Sequence, residues 1–185
     1  MIENMKNIET KTDEEIVELV RNENKELYAQ IIKRYQDKLI RYAEYLIGDP
    51  DKASDAVQDS FIKAYINLNG FDVKKKFSSW IYRIVHNEAI NLIDKNKKTI
   101  KLDPDVDFDS GINIEDTYIK EELVSKAHNC LEGIDINYRE PLSLYYIENK
   151  SYEEISDILR LPMGTVAVRI NRAKIILKKI CQTKK

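Results

Sequence analysis

Apolar positions recur every three to four residues along most of this chain, so the pattern predicts helices separated by short polar stops. Thr12-Asp-Glu-Glu15 is a capping box that opens a helix running to about Asn22. A long helix is predicted from about Lys25 to Ile47, with Tyr28, Ile31, Ile32, Tyr35, Leu39, Tyr42 and Leu46 on its apolar face. Gly48 supplies its stop, and Asp49-Pro50 supplies a cap and a first-turn proline for the next helix. That helix is expected to reach about Leu68 and to bury Val57, Phe61, Ala64 and Leu68, with Asn69-Gly70 ending it. A basic loop, Phe71 to Phe77, leads to a helix from about Ser78 to Asn96, with Ile81, Ile84, Val85, Ala89 and Leu92 inward. Residues 12–99 are therefore expected to form one bundle-like domain, behind an unstructured start at residues 1–11.

Residues 100–114 break the pattern. Pro104 and alternating Asp predict an extended, self-repelling acidic linker. Helices are predicted again from Glu115 to about Leu131 and from about Asn137 to Ile147, opening a second small helical domain over 115–185. Its end is the most informative stretch. Ser151 and Glu154 form a second capping box, and Leu161, Pro162 and Gly164 are expected to stop that short helix and re-aim the chain. In the next helix Val166, Ile170, Ala173, Leu177 and Ile180 mark a buried stripe. From Thr165 onward there are seven Lys or Arg and no Asp or Glu, so the rest of that helix is purely cationic. This is a helix-turn-helix pattern suited to a phosphate-lined groove. A basic helix alone would read as a solvated surface; the capped helix and the turn in front of it favour DNA.

The fold class is accordingly all-α, and five Gly and four Pro in 185 residues agree with that. The formal charge of −2 hides a segregation. Lys74 to Lys101 holds eight Lys or Arg against Glu88 and Asp94, whereas Leu102 to Glu122 holds eight acids and one Lys. Basic zones flanking an acidic one keep a nucleic-acid partner in view despite a pI near 5.8. No apolar run is long enough for a transmembrane helix, and the start Met1 to Glu9 lacks a signal-peptide pattern, so a cytoplasmic protein without membrane insertion is expected. Cys130 and Cys181 have no metal spacing, and His86 and His128 lack a ligating partner motif. There is no Gly-rich phosphate loop and no nucleophile elbow. Neither an enzyme nor a cofactor or metal site is expected.

A second zone, Lys74 to Lys98, combines cations, rings and amides. Lys74, Lys75 and Lys76 give a charged edge; Phe77, Trp80 and Tyr82 are aromatic, and Arg83 follows; Asn87 and Asn91 sit four apart on one helix face. Charge for phosphates, rings for stacking and amides for base edges suit single-stranded bases. The alternative is that Phe77 and Trp80 are core residues beneath wet lysines, and the residues alone leave both open.

Five motifs occur in order: Asp55-Ala-Val-Gln-Asp-Ser-Phe61; Lys76-Phe-Ser-Ser-Trp-Ile-Tyr-Arg-Ile84 with Asn87; Tyr138-Arg-Glu-Pro-Leu142; Ser151-Tyr-Glu-Glu-Ile155; and Gly164-Thr-Val followed by Arg172-Ala173. Together, from about residue 25 to residue 180, they resemble the extracytoplasmic-function (group IV) sigma factors of bacterial RNA polymerase. The resemblance implies sigma region 2 at 12–99 and region 4 at 115–185, and a factor directing promoter-specific initiation in response to a stress or envelope signal. It implies that Asp55, Gln58, Asp59 and Ile62 dock on the clamp coiled coil of the core polymerase. Lys74, Lys75, Lys76, Phe77, Trp80, Arg83, Asn87 and Asn91 would hold the upstream-ten element, the two Asn around a flipped base. Thr165, Ala167, Val168, Arg169, Asn171, Arg172 and Lys174 would face the upstream-thirty-five element, and the acidic linker would thread the polymerase's RNA path. Core polymerase, promoter DNA and an anti-sigma factor are the implied partners. The chain departs from the family in two places. Asp59 replaces a Glu, and Ala167-Val168 stand where polar readers are common, so direct base readout is expected to lean on Arg169, Asn171 and Arg172. An ordinary helix-turn-helix regulator explains the second half but not Lys74–Asn91, and a sigma-like module without DNA binding is the third reading.

Overall fold

The computed structural model describes residues 10–100 and 134–183, which form seven α-helices and no strand. Of the linker expected at 100–114 only Ile100 is described, as the last residue of a helix; the rest of it, the helix expected from Glu115 to Leu131 and the N-terminal tail up to residue 9 lie outside the described residues.

Helix α1 (Asp13–Asn22) starts at the predicted capping box: the Thr12 hydroxyl accepts the Glu15 N–H, and Glu15 accepts the Thr12 N–H at 2.7 Å. Ile16, Val17 and Val20 point into the core. Lys25–Leu27, expected as the first turn of a long helix, is instead a 3-10 turn capped by Asn24. It feeds α2 (Tyr28–Ile47), which ends at Gly48 with φ 74°, a left-handed stop that glycine adopts without strain. Helix α3 (Pro50–Ile66) begins at the Asp49 cap with proline in its first turn. It stops two residues short of the predicted end, because Leu68–Gly70 tightens into a 3-10 turn. The Arg21 guanidinium of α1 donates to the carbonyls of Leu68 and Phe71 there and ties the turn to α1.

Helix α4 (Phe77–Ile100) packs on both α2 and α3. Phe77, Ile81, Val85 and Ala89 are buried as one stripe, whereas Ile84 and Leu92 are only partly covered. After the undescribed segment come α5 (Ile136–Tyr146), α6 (Tyr152–Leu159) and α7 (Met163–Thr183). Val166, Ile170 and Ala173 of α7 are fully buried against α5 and α6, and Leu177 is half-buried; the Ile180 side chain lies outside the described set.

The two units are in contact. Helix α4 lies along α6, and α2 meets α5. One continuous apolar cluster runs through both, from Ile16 to Ala173.

Candidate nucleic-acid interface

The loop before α4 exposes Lys74, Lys75 and Lys76. Asp72 shapes it: its carboxylate accepts the Lys74 N–H at 3.0 Å, and its carbonyl accepts the Lys75 N–H. The helix start is held from α1, where Glu14 accepts the Phe77 N–H at 2.8 Å. Phe77 itself is 0% exposed and sits between Phe71, Tyr35 and Trp80, at ring separations of 5.4, 5.9 and 5.5 Å. It is a core residue, and the expectation that its ring stacks on a base does not hold in this arrangement. Trp80 is half-buried against Phe71. Tyr82, the third ring of the expected cluster, is buried, and its hydroxyl donates to Glu148 at 2.6 Å. Asn87 and Asn91 are exposed one turn apart on α4. The Glu88 carboxylate between them pairs with Lys63 of α3.

On α3 the buried set is Ala53, Ala56, Val57, Ser60, Phe61 and Ala64. That leaves Asp55, Gln58, Asp59 and Ile62 exposed, with Ile62 at 57% and Ile66 at 71%. Ile62 and Ile66 lie one turn apart, so they form one apolar strip on that face. Beside them an open cleft of about 350 Å³ lies between α2 and α3, lined by Ile32, Ile40, Gln58 and Ile62.

The helix-turn-helix is built as its capping box dictates. The Ser151 hydroxyl accepts the Glu154 N–H, and Glu154 accepts the Ser151 N–H at 2.8 Å. The turn differs from expectation. Arg160, at φ 52° and ψ 44°, terminates α6, while Gly164 lies inside the first turn of α7 with open space around its α-carbon. The Ser156 hydroxyl closes the turn by donating to the Leu161 carbonyl at 2.5 Å. Pro162 then serves as the acceptor that starts α7, taking N–H groups from Thr165 and Val166.

On α7, Thr165, Val168, Arg169 and Arg172 fall on one face and line an open recess of about 670 Å³. Asp135 and Asn137, at the start of α5, form its opposite wall. Val168 is 49% exposed, and Asn171 and Arg172 are exposed. Ala167, Asn171 and Lys174 form a neighbouring row. Lys174 is turned onto the Tyr146 ring, 5.4 Å from its centre.

Between the units lies a cluster that the sequence reading passed over. Glu140, buried on α5, accepts from the Tyr42 hydroxyl and from His86 Nδ1, each at 2.5 Å. Glu148 takes Arg41 through Nε at 2.9 Å and Nη2 at 3.1 Å, and accepts Tyr82 as well. Burial and the Glu140 carboxylate push the Tyr42 hydroxyl well above its ordinary range, and burial and Glu148 do the same to Tyr82. Both phenols are therefore fixed as donors. At the outer edge Lys76 meets Glu154 at 3.0 Å, and Arg83 meets Asp157 at 3.1 Å. Burial works to raise the Glu154 carboxyl, but the Ser151 N–H and the Lys76 ammonium outweigh it and hold it low.

An all-helical bundle with a cationic edge, coupled to a capped helix-turn-helix unit, defines a two-unit DNA-binding factor. Comparison with known proteins sharpens this. Residues 31–99 match the sigma-70 region 2 family model, and residues 125–177 match the sigma-70 region 4 model. The chain is 32% identical over 174 residues to the ECF RNA polymerase sigma factor SigW of Bacillus subtilis, covering 88% of this chain and 93% of that one. It is likewise 32% identical to the ECF RNA polymerase sigma-E factor of Escherichia coli K12, over 88% of this chain and 91% of the relative. The fold matches CnrH, solved in complex with the cytosolic domain of CnrY, with a TM-score of 0.73 and 22% identity over 94% of this chain and 99% of that one. It also matches the sigma factor RpoE of Bartonella quintana, solved with the anti-sigma factor NepR, with a TM-score of 0.74 and 23% identity over 85% and 98% of the two chains. The chain belongs to the ECF RNA polymerase sigma factors. It is a transcription initiation factor and not an enzyme.

Proposed function

We propose that residues 12–99 act as region 2, docking core polymerase through α3 and holding the upstream-ten strand on α4, and that residues 115–185 act as region 4 on upstream duplex. The observation that carries the docking assignment is the outward face of α3. Asp55, Gln58, Asp59 and Ile62 are all exposed while their neighbours Val57 and Phe61 are buried, and the face borders an open cleft suited to a helical partner. On α4 the exposed Asn87 and Asn91 stand clear of the core, further along the same helix than half-buried Trp80 and the Lys74–Lys76 edge. Extruding a base from the duplex costs a few kcal/mol, so side chains that hold it favour the open promoter. On α7, Arg169 and Arg172 supply base-edge or phosphate contacts, and Val168 supplies an apolar contact of the kind that suits a thymine methyl. Promoter sequence is read with few polar groups, and shape contributes the rest.

The site of action is the cytoplasm, where promoters and polymerase are; none of the described helices is long and apolar enough to cross a membrane. An anti-sigma factor is the third partner we assign, since both structural neighbours were solved with a bound partner chain.

Reversing charge at Asp55 and Asp59 to Lys tests the docking face. Both side chains are exposed, so helical content and the thermal transition stay unchanged while capture of purified core polymerase is lost. Normal capture by that variant would remove α3 as the docking element.

A further inference from the structure

The recess on α7 has two walls of opposite character. On one, half-buried Arg169 and exposed Arg172 rise beside Thr165 and Val168; on the other, Asp135 and Asn137 stand at the start of α5. Among the described residues neither guanidinium is held in an ion pair, so each can go to a phosphate or to a base edge. Asp135 is exposed and caps α5: its Oδ1 accepts the Asn137 N–H at 2.9 Å and the Asn137 side-chain amide at 2.8 Å. The cap fixes where the negative charge sits. Asn or Ser would cap as well as Asp, so capping alone does not call for a carboxylate in a recess that meets a polyanion.

We propose that Asp135 is a specificity-determining residue of the duplex-reading surface: its charge keeps phosphates out of the recess and leaves Arg169 and Arg172 to base edges. The proposal rests on the reading of α7 as the helix that meets upstream duplex. A phosphate carries a full negative charge, whereas the acceptors on a base edge, such as guanine O6 and N7, carry only partial ones. A carboxylate in the same recess therefore penalises the phosphate more than the base. Two unit charges about 7 Å apart in water shift affinity by about threefold, and more once the DNA covers the recess and displaces water. Salt shrinks the effect. Selectivity then comes from rejecting the wrong contact as well as from making the right one.

The composition of α7 is what gives such a filter its use. Ala167 and Val168 offer a base no hydrogen bond, so few polar groups carry the preference of this helix. From Thr165 onward the chain has cations and no acid. A helix of that kind binds any duplex through its phosphates, and phosphate contacts carry no sequence information. The acid that α7 lacks is supplied by the fold, from the start of α5.

The test uses the full chain assembled with purified core polymerase. The probe is a library built on a promoter from which it initiates, randomised in the duplex upstream of the melted segment, and retained DNA is sequenced at several salt concentrations. Asp135→Asn keeps the cap and leaves the thermal midpoint of the free chain unchanged. It raises retention of the average sequence about threefold at low salt, and the gain fades as salt rises. Enrichment of preferred sequences over the average falls by the same factor. Asp135→Ser gives the same result and carries the comparison should the Asn variant fold poorly. Glu23→Gln, which removes an equal charge from an exposed position in the first unit, leaves enrichment unchanged. Unchanged enrichment in the Asp135 variants overturns the proposal. So does a fall in enrichment without a gain in average retention, which would make Asp135 a direct reader or a structural support, and so does an equal fall with Glu23→Gln. Arg172→Ala in the same library separates the filter from the reading beneath it, since with α7 on the duplex this variant flattens the preference at one position or more. If it does so and Asp135→Asn does not, the filter alone fails. If Arg169→Ala and Arg172→Ala both leave the preference untouched, α7 does not read bases and the filter fails with it.

Discussion

Arg160 and Gly164 have exchanged the places that local chemistry suggests. A left-handed residue at a helix end is usually glycine, because a β-carbon there crowds the following carbonyl at a cost of roughly 1–2 kcal/mol. Here Arg160 takes that conformation at φ 52°, while Gly164 sits in ordinary helix with nothing near its α-carbon. Arg160→Gly is expected to raise the thermal midpoint of the chain by about 2–4 °C, equivalent to about 1 kcal/mol. An unchanged or lower midpoint by scanning calorimetry would mean that the Arg side chain repays its strain through contacts of its own. Capping boxes at Thr12 and Ser151 were legible because each is a local pattern, two side chains serving one helix end. The Arg160 turn was not legible, because nothing in the residue type announces a left-handed backbone. Phe77 was ambiguous for a related reason: a ring beside lysines looks the same in sequence whether it faces a base or the Phe71–Trp80 core.

At the scale of the element, helical periodicity located the helices but showed only one stripe on each. Helix α4 has several working faces. Phe77, Ile81, Val85 and Ala89 serve its own bundle; Tyr82 and His86 meet acids of the second unit; Arg83 meets α6; and Asn87 and Asn91 remain in solvent. Tyr82 and His86 could not be placed from the pattern, since their partners Glu148 and Glu140 are more than fifty residues away. Helix α7 divides in the same way, and its exposed cations are expected to behave differently. Arg172 lines the recess with Thr165 and Arg169, and on the proposed reading it takes a base edge, so Arg172→Ala should cost on the order of 1–3 kcal/mol at preferred sites and relax preference there. Lys178 is exposed further along the helix, and on the proposed reading it takes a phosphate, so Lys178→Ala should weaken all duplexes alike and reduce the salt slope by about one. Binding of the full chain to a randomised duplex library at several salt concentrations separates the two. Identical behaviour of both variants would assign α7 to phosphate contact alone.

Across the whole molecule, the near-neutral charge conceals a division of labour. The first unit offers its cationic edge and its exposed amides on α4 and an acid-lined apolar face on α3; the second offers a cationic recognition helix and, on α5 and α6, the carboxylates that hold the units together. Docking, strand capture and duplex reading are thus assigned to separate faces, and the central claim is that α4 captures an unpaired promoter base for a polymerase held elsewhere. Run-off transcription with purified core polymerase, comparing wild type with Asn87→Ala/Asn91→Ala on duplex and pre-opened promoters, tests that claim most directly. Wild type should start transcripts at a defined position on both templates. The double variant should bind core normally, lose most initiation on duplex DNA, and recover only in part on the bubble, since opening the duplex removes the cost of unpairing but not the loss of base contacts. Initiation by the double variant equal to wild type on duplex DNA would contradict base capture by α4.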